Sequence, residues 1–67
     1  MIHFPHEVRM EAQFFFARWQ RGGDIKQLRA DILPGERSDE FNREFRLRVL
    51  DRFDALVEAT QQPEARA

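Results

Sequence analysis

Three consecutive phenylalanines, Phe14, Phe15 and Phe16, stand inside a segment with the apolar spacing of an amphipathic helix. Neighbouring residues on an α-helix point about 100° apart, so one face cannot hold all three rings. At least one ring must look away from the core that the others enter. A chain with such a triplet therefore carries a second apolar surface, and a second apolar surface implies a partner.

The shortness of the chain sharpens that constraint. Its 67 residues make one domain, and a domain of this size buries only roughly 60% of the surface its unfolded chain exposes. Small scaffolds make up the shortfall with disulfides, a metal or an oligomer interface. Cysteine is absent, which removes disulfides and thiolate metal sites together. Association is the remaining common route, so a homodimer is expected.

Local signals divide the chain into three helices. Pro5 suits the first position of a helix, where its missing N–H costs little, and Glu7 complements the dipole in the first turn. Helical character runs from about Pro5 to Arg21 and stops at Gly22-Gly23. Asp24 reads as the N-cap of a second helix, with Gln27 in capping-box position. Pro34-Gly35 ends that helix at about Leu33. Ser38 reads as the next N-cap, with Asp39 and Glu40 in the first turn of a third helix that runs to about Ala59. The spacing thus predicts an all-α, small three-helix domain over residues 1–60, with two long antiparallel helices joined through a short one. Residues 61–67 read as a flexible tail.

Both long helices carry two apolar stripes. Val8, Ala12, Phe15, Phe16 and Trp19 share one sector of the first, while Met10, Phe14 and Ala17 fall nearly opposite. In the third helix Phe41, Phe45, Val49, Phe53 and Leu56 define a core row. Leu47, Leu50 and Val57 lie to one side and widen the apolar surface past half the circumference. A surface helix needs only one stripe somewhat wider than 100°. The expected core is Val8, Phe15, Phe16, Trp19, Ile25, Leu28, Ile32, Phe41, Phe45, Val49, Phe53 and Leu56.

Little here can carry catalysis. There is no tyrosine, and the one serine, Ser38, is explained as a cap. Asp51 and Asp54 could share acid and base roles, but Arg48 and Arg52 stand at ion-pair spacing, and a solvated charged face is the simpler account. The chain is read as having no catalytic residues and no cofactor. Its two histidines are His3 and His6. Met1-Ile2-His3 could chelate Cu(II) or Ni(II) through a free amino terminus, and His3, His6 and Glu7 could approach one metal. No fourth ligand is evident, so no metal site is assigned.

Eleven basic and 12 acidic residues leave a formal net charge of −1, which supplies no basic excess for nucleic acid. The alternative to a protein partner is a helix-turn-helix-like DNA-binding regulator using residues 25–52. There Arg37, Arg43, Arg46 and Arg48 would approach phosphates and Asn42 a base. Against it, the third helix is too long for a recognition helix and opens with Asp39 and Glu40. No charged start followed by an apolar run marks a signal peptide, and no stretch approaches the ~20 apolar residues of a membrane span. The polar face of the first helix mixes glutamate and glutamine with arginine, which argues against membrane-surface binding. A cytoplasmic protein is expected.

The reading that results is a non-catalytic protein–protein interaction module: a small adaptor, inhibitor or regulatory subunit. It would act through an apolar helix face rimmed by arginine, with Met10, Phe14, Arg46, Leu47 and Leu50 as the partner-binding residues.

Overall fold

The computed structural model describes residues 5–61, and these form three helices: α1 Pro5–Gln20, α2 Ile25–Ile32 and α3 Glu40–Gln61. There is no strand among the described residues. Pro5 opens α1 as expected. His3 and the tail beyond Gln61 lie outside the described residues; Gln61 itself closes α3.

The helix ends at the two joints are set by chemistry written beside them. At the end of α1 the Gly22 N–H donates to the Trp19 carbonyl at 3.0 Å and the Gly23 N–H to the Arg18 carbonyl at 3.0 Å. This is the paired hydrogen bonding of a Schellman motif, with Gly22 at φ +106° in the position that disfavours a Cβ. Gly23 is needed for a different reason. A Cβ there would come within 2.9 Å of the Arg18 carbonyl oxygen and 3.2 Å of Leu28 Cδ1.

Asp24 caps α2, its carboxylate accepting the Gln27 N–H at 3.0 Å. The reciprocal half of a capping box is not the bond Gln27 makes. Its side-chain amide donates instead to Asp31, four residues on, at 3.1 Å. Leu33 ends α2 at φ −59°, ψ 143°, the extended geometry forced on a residue before proline.

Asp39, rather than Ser38, caps α3. Its carboxylate accepts the Asn42 N–H at 2.7 Å and its carbonyl the Arg43 N–H at 2.9 Å. The Ser38 N–H closes a turn onto the Gly35 carbonyl at 3.2 Å, and its hydroxyl accepts from the Asn42 side chain at 3.1 Å. Both residues are competent caps; the turn from Gly35 takes up Ser38 and leaves the cap to its neighbour.

The core is Val8, Ala12, Phe15, Leu28, Ile32, Val49, Phe53 and Val57, with Phe16, Trp19, Ile25, Phe45, Leu50 and Leu56 packed against it. Helix α1 packs chiefly on α3, and α2 covers one part of that pair. In α3 Phe45 and Leu56, expected in the core, are half-buried at its edge, and two placements differ more sharply. Phe41, expected in the core, is 45% exposed, and Val57, expected to one side, is 4% exposed. A four-residue repeat turns by about 400°, so each step drifts about 40° around the axis. Over the four steps from Phe41 to Val57 the row walks across the buried face. Phe41 lies before it, Phe53 near its centre, and Val57 still within it.

The phenylalanine triplet divides three ways. Phe15 is buried, and Phe16 is half-buried and stacked on Trp19, with ring centroids 5.8 Å apart and planes 29° apart. Phe14 is 55% exposed.

Candidate functional site

Phe14 is fixed although it faces solvent. Its ring meets Phe15 edge-on, with centroids 5.4 Å apart and planes at 83°, and the Arg18 guanidinium lies over it, 5.6 Å from the centroid. A T-shaped pair and a cation–π contact together hold the exposed ring in one orientation. One turn earlier Met10 is 58% exposed. The two share the outer side of α1, away from the buried row of Val8, Ala12 and Phe15.

Phe14 stands between two depressions. One, of about 420 Å³, is lined by Glu7, Met10, Glu11 and Phe14 of α1 and by Phe45 of α3. The other, of about 490 Å³, holds Arg18, Arg21 and Gly23 on one wall and Asp24, Gln27, Leu28 and Asp31 of the α2 segment on the other. On α1 itself Glu7 and Glu11 line the depression nearer the amino terminus and Arg18 and Arg21 the other, where Asp24 and Asp31 face them from the α2 segment, with the aromatic ring midway.

The five residues singled out in the sequence do not form one patch. Met10 and Phe14 come together. Leu47, 46% exposed, lies in a separate cleft of about 820 Å³ with an apolar floor of Pro5, Val8 and Ala55. That cleft is rimmed by three carboxylates and three guanidinium groups, so it offers no net charge to a ligand. Leu50 is half-buried against the core. Arg46 is half-buried and turns toward α2, where its Nε donates to the Ile32 carbonyl and a terminal nitrogen to the Asp31 carbonyl, both at 2.8 Å. These carbonyls belong to the last turn of a helix, where unpaired acceptors and the negative end of the dipole favour a cation.

Sequence reasoning placed Phe45 wholly in the core and did not join it to Met10 and Phe14. No periodicity within α1 could have indicated a residue arriving from α3.

Several of the remaining polar groups pair within the chain. Arg29 pairs with Asp54 across α2 and α3, and Arg48 with Glu44 at 3.0 Å along α3. Arg43 donates to the Ser38 carbonyl at 3.2 Å. Among the described residues no three metal-ligating side chains converge, and no helix is long and apolar enough to cross a membrane. No family model matches the chain, and neither a curated protein nor a solved structure resembles it significantly.

Proposed function

We propose that this chain is a non-catalytic protein–protein interaction module, a small adaptor, inhibitor or regulatory subunit, working through the outer face of α1. In this reading its two long helices run antiparallel and it functions as a dimer in the cytoplasm. The observation that carries the proposal is the exposed pair Met10 and Phe14, with the Phe14 ring held in place by Phe15 and Arg18. Methionine, aromatic residues and arginine are the side chains enriched where proteins meet. A ring already fixed loses little conformational freedom on binding. A partner seated there would be occluded directly or biased toward one of its own conformations.

The DNA-binding alternative on residues 25–52 has less support. Arg43 and Arg46 donate to backbone carbonyls, Arg48 pairs with Glu44, and the Asn42 side chain donates to Ser38. Those bonds already take up some of the donors that phosphates or bases would need.

The test is a photo-crosslinking phenylalanine analogue introduced at Phe14, and as a control at the exposed Gln13 beside it, in cells that make the protein. Discrete heavier adducts should form from position 14 and be weak or missing from position 13. Equal labelling at both positions, or no adduct from either, counts against a binding face.

A further inference from the structure

The outer face of α1 repeats at the spacing of a heptad seam: Glu7, Met10, Phe14, Ala17 and Arg21 follow one another by three, four, three and four residues. All five are exposed. Arg21 lies just past the end of α1, yet its N–H still bonds the Ala17 carbonyl at 3.2 Å, so the helical register extends to it. Glu7 and Arg21 stand seven residues either side of Phe14, about 10 Å along the axis in each direction. The stripe is therefore acidic at one end, basic at the other and aromatic at its midpoint.

We propose that a second copy of this chain docks on this stripe, antiparallel, with the two-fold axis passing beside Phe14. The proposal rests on the reading of this face as an interaction surface and names its occupant. A two-fold interface places the same patch on both partners and must be self-complementary. Reversing the stripe about Phe14 brings Glu7 opposite Arg21 of the other copy, twice over, and Phe14 against its own equivalent. The same operation sets Glu11 opposite Ala17 and Met10 opposite Arg18. The depression holding Glu7 and Glu11 then faces the end of the other copy where α1 presents Arg18 and Arg21, with Asp24 and Asp31 set back on the α2 segment. A parallel two-fold pairing would instead set Glu7 against Glu7 and Arg21 against Arg21, and like charges in register are repulsive. A foreign partner would require no such mirrored charge order about one ring.

Sedimentation equilibrium on the full chain, with helicity followed by circular dichroism, tests this. The wild type should sediment as a dimer. Glu7→Arg and Arg21→Glu each exchange two attractive contacts for two repulsive ones, so each should weaken self-association by about tenfold. An equimolar mixture of these two variants should form a heterodimer of about wild-type strength, because each altered position then meets its opposite charge in the other variant. A wild type that stays monomeric at high concentration while fully helical overturns the proposal. So do single variants that pair as tightly as the wild type, or a mixture no tighter than its components. If the wild type is a monomer yet position 14 still yields adducts heavier than twice the chain, the interaction face stands and only the second copy is removed as its occupant.

Discussion

At the scale of single residues, the division between Phe53 and Phe41 is the most informative. The two lie on one four-residue row in the sequence, and they differ completely in burial. Phe53 has no solvent exposure, so removing its ring leaves a cavity as well as lost transfer energy, typically about 3–5 kcal/mol. Domains of this size have little more than that in total. Phe53→Ala is expected to unfold the chain at room temperature, read as loss of helicity by circular dichroism. Phe41→Ala should leave a cooperative urea transition shifted far less. Equal losses from the two variants would contradict the drift of the row around α3. That drift also explains what the sequence could not show. The row is visible, but which of its members face inward depends on where α1 and α2 press against it. The triplet was more legible, because three adjacent rings must diverge on any helix.

At the scale of elements, the boundaries were the readable part. Gly22-Gly23, Asp24 and Pro34-Gly35 act on the backbone next to them, and the structure uses all three. Choosing between Ser38 and Asp39 was harder, since either side chain can cap and a turn three residues back decides. The least legible feature was Arg46. Its partners are backbone carbonyls of another helix, and backbone groups leave no mark in a residue pattern. Helix α2 has only 8 residues, too few to persist alone in water. It is held by the Asp24 cap, by burial of Leu28 and Ile32, and by Arg46 at its far end. Hydrogen bonds from a charged donor contribute about 1.5–3 kcal/mol, and those lost here would leave carbonyls short of partners. Arg46→Ala is expected to destabilise by about 2 kcal/mol, measured by urea titration, with the amides of α2 losing hydrogen-exchange protection first. Arg46→Lys should recover only part of this, because an ammonium cannot present two nitrogens in a fixed fork. If α2 amides exchanged no faster in Arg46→Ala than in the wild type, the arginine would not be what holds the helix end.

For the molecule as a whole, the question is how much of its stability is its own. Among the described residues the buried set is eight apolar side chains, and large ones remain outside it on α1 and on α3. If association through α1 supplies part of the stability, the thermal midpoint should rise with protein concentration, since binding favours the folded state by mass action. The midpoint at fixed concentration should also fall with added salt, as Glu7 and Arg21 of opposite copies become screened. A midpoint independent of concentration over two decades would mean that each chain stands alone. The candidate surface was half legible on this scale. Periodicity exposed Met10 and Phe14, whereas the separation of Leu47 into another cleft, and the inward turn of Leu50, required the packing of α3 against its neighbours.

Two kinds of tie fasten α2 to α3, and they differ in how tightly they set direction. Arg29 reaches a carboxylate, Asp54, whereas Arg46 reaches peptide oxygens. The first joins two exposed, flexible side chains, which holds a distance but no set angle. The second lays a planar fork on two successive peptide oxygens, which fixes direction as well. The short helix should therefore swing along its flank while staying hooked at its tip, a hinge built into the joint by the choice of acceptor.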